Sequence, residues 1–369
     1  MVNLGRHTVY DGDCFELLAA LPDCSVDSIV CDPPYGIGFM GKGWDAAVPS
    51  EKWARECLRV LKPGGHLVAF AATRTLHRLV VACEDAGFEV RDTVHWVYWS
   101  GFPKSHDVSK AIDLAAGVER EVIGRTARNV GPQGSRRVAG LLGSSTFREN
   151  PDNPGNLLTA PATPGAAKWN GYGTALKPAV EPATLCRKPL GSTVAACVLE
   201  HGTGALNIDG CRFKPGDVAW CGPQDENPWG GDYQRAAAVS PVAYAAPSGG
   251  GLAIHDLGRF PANLYHCPKA NASERAGSRH PTVKPLRLMR WLVRLVTPPG
   301  GVVVDPFLGS GTTLLAAEAE GFRCLGAEME HVADVELRWA RRHEVFRAAN
   351  PDRDEKAPVP LVGQESLFG

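Results

Sequence analysis

Apolar and polar positions along the first hundred residues follow two rhythms. Short apolar runs at 7–10, 28–31 and 66–72 have the length and flanking turn residues of strands. Between them, Trp53, Cys57, Leu58 and Leu61 recur at helical spacing behind Ser50, a candidate N-cap, and Lys62-Pro63-Gly64-Gly65 reads as the stop. Leu76, Leu79, Val80 and Cys83 mark a second helix, which Gly87 is suited to cap. Residues 88–99 are rich in β-formers and read as a long strand. Strands alternating with helices predict a mostly parallel sheet.

The texture changes at Gly101. From there to about His280 the chain is rich in Gly, Pro, Ser and Asn, interrupted by a strand-like run at 181–188 (EPATLCRK). Long irregular stretches inside an enzyme are more often functional than filler. Order returns after His280. Leu288, Trp291, Leu292 and Leu295 lie on one face of a helix, and 302–304 form a buried strand that runs into Asp305-Pro306-Phe307-Leu308-Gly309-Ser310-Gly311-Thr312. A helix over 313–320 follows, then a strand at 323–327 ending in Glu328. Val332, Val335, Trp339 and Phe346 predict one final amphipathic helix, and the stretch from Asn350 reads as frayed.

Composition narrows the picture. No run of about 18 apolar residues is present, so no membrane helix is expected. The N-terminal residues lack a basic segment followed by an apolar one, so no secretory signal is expected. The 11 cysteines form no CxxC pair and sit mostly in apolar runs, which predicts reduced core thiols of a cytosolic protein and no metal site. A net charge of −1 neither supports nor excludes a nucleic-acid partner. Between Gly101 and Val180, however, ten Lys or Arg stand against six Asp or Glu, a balance suited to meeting phosphates.

Two constellations carry chemistry. Strand, glycine-rich turn and helix from 302 onward make a nucleotide cradle, because glycines admit close approach and a helix N-terminus offers unpaired N–H groups. Glu328, ending the next strand, can accept hydrogen bonds from ribose hydroxyls. The spacing is not GxGxxG, so a nicotinamide or flavin dinucleotide is not expected. The second constellation is Asp32-Pro33-Pro34-Tyr35-Gly36 at the end of a buried strand, where open α/β sheets place their active sites. Asp32 and the proline carbonyls are acceptors and Tyr35 is a stacking face, a combination suited to a planar ring bearing an amino group. Cys31 lies inside the strand and is not placed as a nucleophile for cytosine C5 chemistry.

These residues resemble the DNA amino-methyltransferase family. Asp32, Pro33, Pro34 and Tyr35 match its catalytic tetrapeptide. Asp305, Pro306, Phe307, Gly309, Ser310, Gly311 and Thr312 match its cofactor loop, with Leu308 where Ala or Cys is commoner. His280-Pro281-Thr282-Val283-Lys284-Pro285 matches the segment preceding that loop, so the resemblance assigns Thr282 and Lys284 to the methionine part of S-adenosylmethionine. Glu328 matches the ribose-binding acid, and Asp13 and Cys14, in Tyr10-Asp11-Gly12-Asp13-Cys14, match the segment near the adenine. Catalytic motif first and cofactor loop last is the permuted, β-type order. Segments such as 101–105, 177–182, 204–210 and 258–263 also resemble stand-alone methyltransferases of phages and prophages.

The resemblance implies an α/β doubly wound, mostly parallel sheet. It places a catalytic half in 1–100, target-recognition insertions in 101–279 interrupted by a core strand near 181–188, a cofactor-binding half in 280–349 and a flexible tail in 350–369. It implies transfer of a methyl group from S-adenosylmethionine to N6 of adenine in double-stranded DNA after base flipping, in the cytoplasm of a bacterial or phage-infected cell. Aspartate heading the tetrapeptide favours adenine. Cytosine N4, an RNA or protein-glutamine substrate, and a catalytically silent DNA-binding protein are the alternatives. Arg125, Arg128, Arg136 and Arg137 are candidate DNA contacts. A homodimer and a cognate restriction endonuclease stay open as partners.

Overall fold

The computed structural model describes residues 1–38, 41, 43–101, 103, 105–125, 157–213, 217, 219 and 258–349. Strands Val2–Leu4 (β1), His7–Asp11 (β2), Val26–Cys31 (β3), Leu61–Phe70 (β4), Glu89–Val97 (β5), Val180–Arg187 (β8), Leu264–His266 (β9), Val302–Asp305 (β10) and Arg323–Glu328 (β11) form one sheet. Its order is β1-β2-β11-β10-β3-β4-β8-β5-β9. The five central strands from β2 to β4 are mutually parallel. The expected α/β architecture is therefore present, and β10 from the last third of the chain lies directly beside β3 from the first.

All six residues of β3 are buried, as a strand covered on both faces requires. Ile29 and Cys31 face a core shared with Leu17 and Leu18, Trp53 and Cys57, and Leu79 and Cys83, contributed by helices Cys14–Ala20, Glu51–Val60 and Leu76–Ala86. Ser28 alternates to the other face, where its Oγ lies 2.8 Å from Thr297 Oγ1 at the end of helix Leu286–Val296. That helix packs on helix Thr312–Glu320.

Four local expectations change. Ser50 is at the N-cap position but makes no side-chain capping bond. Lys62-Pro63-Gly64-Gly65 does not separate helix from strand. The helix ends at Val60, and these residues already belong to β4, with Gly64 at φ +74 beside a register shift between β3 and β4. A glycine in that conformation bulges a strand without ending it. The last helix is two, Val332–Ala340 and Arg342–Ala349. Residues 180–213 and 258–279 hold more order than their composition suggested, including helix Val194–His201 and β9.

By contacts the chain divides into two units. Met1–Val97 with Val180–Gly369 carries the nine-stranded sheet. Tyr98–Ala179 carries helices Val108–Ala115 and Pro164–Lys168 and the antiparallel pair Val122–Arg125 (β6) and Leu157–Thr159 (β7). Inside this smaller unit the buried Asp113 carboxylate accepts from Thr163 N and Oγ1, Ala162 N and Arg120 Nη1, at 2.7–3.0 Å. Among the described residues no helix is long and apolar enough to cross a membrane.

Candidate active site

Parallel strands share one carboxyl edge, and the functional side chains gather there. β2 ends at Asp11, β11 at Glu328, β10 at Asp305 and β3 at Cys31, immediately before Asp32. β8 runs antiparallel to β4 and β5, so its amino end meets their carboxyl ends. Ala183 pairs with Phe70 and Glu181 with Trp96. Glu181, whose strand was legible but whose chemistry was not, therefore arrives beside the tetrapeptide.

Around Asp32 a compact ionic cluster forms. Lys284 Nζ donates to Asp32 Oδ2 at 2.6 Å, to Tyr35 Oη at 3.0 Å and to Glu181 Oε2 at 3.1 Å. Tyr35 Oη lies 2.8 Å from Asp32 Oδ1 and 3.2 Å from Glu181 Oε2, so it can donate to either carboxylate. Three rings surround the Lys284 ammonium, with Phe70, Tyr35 and Trp96 centroids at 4.7, 5.5 and 5.7 Å. Burial alone would lower the Lys284 pKa, but the Asp32 and Glu181 carboxylates more than offset it and hold it above the usual value. Burial, reinforced by the same two carboxylates, pushes the Tyr35 phenol well above its ordinary range. Tyr35 is thus a neutral hydroxyl that can pass a proton only by exchanging it.

The tetrapeptide is held from behind by Asp45, a residue the sequence did not single out. Its Oδ1 accepts from Tyr35 N at 2.6 Å and Gly36 N at 3.0 Å, and its Oδ2 from Ile37 N at 3.3 Å. Gly36 sits at φ +65, and a Cβ there would lie 2.9 Å from Val48 N. Pro33 is buried and Pro34 half-buried. Cys31 is fully buried and its thiol is pushed well above the usual range by burial, so it is no nucleophile. Of the described cysteines all are buried except Cys24, as expected of core thiols, and no group of candidate metal ligands occurs among the described residues.

The loop after β10 is built mostly from backbone. Asp305 is buried, with Oδ1 accepting from Phe307 N at 3.0 Å and Oδ2 from Thr313 Oγ1 at 2.5 Å. Burial, with Asp32 and Glu328 adding, raises its carboxyl to about 7. Asp305 therefore shapes the loop from inside. Gly309 (φ +54) and Gly311 (φ +78) turn the chain, and a Cβ would meet the His280 ring at 3.2 Å or Val335 Cγ1 at 2.9 Å. Ser310 and Thr312 are buried and bound by Arg338, whose Nη1 reaches Ser310 O, Ser310 Oγ and Thr312 Oγ1 at 2.8–3.0 Å. Arg338 is fully buried, its pKa lowered to about 10 by burial, and it is another residue missed in the sequence. Pro306 is buried, and Phe307 packs on Trp53 with centroids 5.7 Å apart.

Glu328 lies against this loop. Its Oε2 accepts from Gly309 N at 2.8 Å and its Oε1 from Glu330 N and His331 N at 2.9 Å. Three bonds leave lone-pair capacity on a carboxylate that offers about four sites. Glu328 pairs with Asp11 across β11 and β2, and Gly12 N donates to Glu328 O at 3.1 Å. Asp13 caps the helix Cys14–Ala20 through Phe15 N at 2.7 Å, and Cys14 is buried, its thiol pushed up to about 12. Asp11 to Asp13, Glu328 and Gly309 are thus brought together. A carboxylate acceptor beside a left-handed glycine turn and a helix N-terminus suits an adenosine-containing ligand.

The segment 280–285 links the two regions. His280 lies at the glycine loop, neutral, with its pKa lowered to about 4 by burial. Its ring meets His331 edge-on at 4.5 Å and bonds Thr282 through backbone atoms. The Thr282 side chain is exposed. Four residues past His280, Lys284 turns into the catalytic cluster, and every contact of its ammonium described above is with that cluster. Arg125 ends β6, while Arg128, Arg136 and Arg137 lie outside the described residues, as does the stretch from Asn350.

A doubly wound sheet whose carboxyl edge joins a nucleotide-type loop to an acid–aromatic cluster defines a cofactor-dependent group-transfer enzyme. A DNA methylase family model, covering transfer to N6 and N4, matches residues 26–116 and 227–333, more than half the chain, and the chain belongs to that family. It is an S-adenosylmethionine-dependent DNA methyltransferase. The Type II methyltransferase M.HindIII of Haemophilus influenzae is 24% identical over 364 residues, covering 87% of this chain and 90% of that protein. M.BamHI of Bacillus amyloliquefaciens is 40% identical over 79 residues, 18% of each chain. Among solved structures, the cytosine-N4-specific PvuII DNA methyltransferase aligns with a TM-score of 0.47 and 17% identity over 94% of this chain and 97% of that one. The M1.HpyAVI complex with S-adenosylmethionine aligns with a TM-score of 0.43 and 18% identity over 90% and 98%.

Proposed function

We propose that the chain methylates the exocyclic N6 amino group of adenine in double-stranded DNA. The observation that carries this reading is the Asp32 carboxylate, just past the carboxyl end of a central strand, with its two oxygens bonded to Tyr35 Oη and Lys284 Nζ. Aspartate at the head of the tetrapeptide is what supports adenine over cytosine.

S-adenosylmethionine supplies an already activated methyl group. The Asp305–Thr312 loop would hold it, with Glu328 on the ribose hydroxyls and the Asp11–Asp13 segment near its adenine. What remains for the protein is orientation and electrostatics. The target nitrogen is a poor nucleophile because its lone pair is delocalised into the ring. Asp32 accepting one of its hydrogens draws that lone pair out of the ring plane, and Tyr35 presents its face to the base. The Asp32 carboxylate, as the acceptor nearest the amino group, favours the positive charge that develops on nitrogen. The amino group of a base paired within a duplex is out of reach of such a site, so the base enters it only after flipping out.

The smaller unit, Tyr98–Ala179, whose sequence includes Arg125, Arg128, Arg136 and Arg137, would meet the duplex, a reading supported by the excess of Lys and Arg over Asp and Glu in this stretch. The enzyme would act in the bacterial cytoplasm, and the Type II designation of its relatives supports pairing with a cognate restriction endonuclease. The test is incubation with labelled S-adenosylmethionine and unmodified DNA, then nucleoside digestion and mass spectrometry. N6-methyladenine is expected. N4-methylcytosine would overturn the base assignment and keep the chemistry.

A further inference from the structure

Methylation leaves the target nitrogen with one proton too many, and the structure shows where that proton can go. Asp32 is its first acceptor, and a base hydrogen-bonded to Asp32 shields it from solvent on that side. Tyr35 Oη joins Asp32 to Glu181 through bonds of 2.8 and 3.2 Å. The second Glu181 oxygen, Oε1, faces away from the cluster, 3.3 Å from Lys269 Nζ. The Lys269 side chain is 48% exposed, against 8% for Lys284. Glu181 thus has one oxygen in the cluster and the other toward the surface.

Building on the amino-methyltransferase reading, we propose that Glu181 is the terminal proton acceptor of the reaction, connected to Asp32 by the Tyr35 hydroxyl. The N–CH₃ bond forms as the sulfonium S–CH₃ bond breaks, leaving a neutral thioether and a cationic nitrogen. That nitrogen gives its proton to Asp32. Tyr35 passes its hydroxyl proton to Glu181 and takes the one on Asp32, so the phenol is never left ionised, in keeping with its raised pKa. Glu181 then releases the proton to water on the Lys269 side. Lys284 keeps its own proton throughout and maintains both carboxylates as acceptors between turnovers.

Glu181 lies in the segment 177–182 that resembles methyltransferases, but that resemblance assigns it no part in the chemistry. It is placed by β8, the strand that runs against both its neighbours, since a residue at the carboxyl end of such a strand would emerge on the opposite edge of the sheet.

The experiment compares multiple-turnover methyl transfer to duplex DNA by the wild-type protein, Glu181→Gln, Glu181→Asp, Tyr35→Phe and the double variant Glu181→Gln/Tyr35→Phe. Cofactor and DNA binding are titrated separately, without turnover. Loss of a positioned proton acceptor is expected to slow transfer by about 100-fold in Glu181→Gln, with binding of both ligands unchanged. Glu181→Asp should recover part of the rate. Two residues on one path do not act independently, so the double variant should be no slower than the slower single one. The solvent deuterium isotope effect should rise in Glu181→Gln, which a purely structural role would not produce. Transfer by Glu181→Gln within about threefold of wild type, or losses that multiply in the double variant, would overturn the relay and leave the amino-methyltransferase reading intact. A wild-type protein that methylates no DNA would sink that reading and the relay with it.

Discussion

The glycine loop after β10 and the ionic cluster after β3 lie at one edge of one sheet, yet they are made differently. The loop is local. Asp305, Phe307, Gly309, Gly311 and Thr313 lie within nine residues, and the Asp305 carboxylate ties Phe307 N to Thr313 Oγ1 across that stretch, with Glu328 and Arg338 bracing it from outside. The cluster is assembled from far apart. Asp32 and Tyr35 come from the turn after β3, Glu181 from the start of β8 and Lys284 from the segment before helix Leu286–Val296. A ligand-holding surface can be written in consecutive residues, because turn geometry and a helix N-terminus suffice. A site that must hold charge and move a proton needs side chains that only the sheet topology brings together.

The largest expected effect falls on the cluster alone. Asp32→Asn keeps the shape but removes the charge, and should cut methyl transfer by about 1000-fold while cofactor affinity stays within about twofold. Equal losses in both would erase the distinction between the two regions.

Next comes the loop's response to pH. The Asp305 carboxyl, raised to about 7 by burial, lies above the roughly 3.9 of an unfolded chain. The native state therefore binds this proton more tightly. The stability so gained is fully present below about pH 4 and is lost as pH rises through about 7. The wild-type melting temperature should fall by several degrees more than that of Asp305→Asn between pH 5 and pH 8. Parallel curves would show that Asp305 carries no such shift.

Gly311→Ala sharpens the comparison from the other side. It forces a side chain into a left-handed position 2.9 Å from Val335. A strain of about 1–3 kcal/mol should weaken S-adenosylmethionine binding roughly tenfold to hundredfold, leaving the rate at saturating cofactor nearly unchanged. Smallest is Lys284→Met. Its ammonium touches only the cluster among the contacts described, so transfer should fall about tenfold, a loss of about 1.4 kcal/mol, with cofactor affinity barely altered. The opposite pattern in titration and rate measurements would return Lys284 to the cofactor, where family resemblance alone had put it.

The same division explains what the sequence could reveal. β3, β10, β11 and the two motifs that follow β3 and β10 were legible because each is a contiguous run with its own turn chemistry. The helix Leu286–Val296 was legible from its apolar stripe. Glu181 was not, because its importance depends on β8 running antiparallel between β4 and β5, and an eight-residue strand does not announce its direction. Arg338 was hidden for another reason. A charge on an amphipathic helix reads as solvent-facing, yet here it is fully buried and braces Ser310 and Thr312. Gly64 misled because a left-handed glycine bulges a strand as readily as it ends a helix.

The central claim is that Asp32 and its neighbours methylate an exocyclic amino group in DNA. Its most direct test is transfer of a labelled methyl group from S-adenosylmethionine to unmodified duplex DNA by wild-type protein and Asp32→Asn side by side, with cofactor binding measured on both. The account predicts label recovered as N6-methyladenine from the wild type only, with equal cofactor binding. Undiminished methylation by Asp32→Asn, or label absent from DNA with the wild type fully loaded, would contradict it.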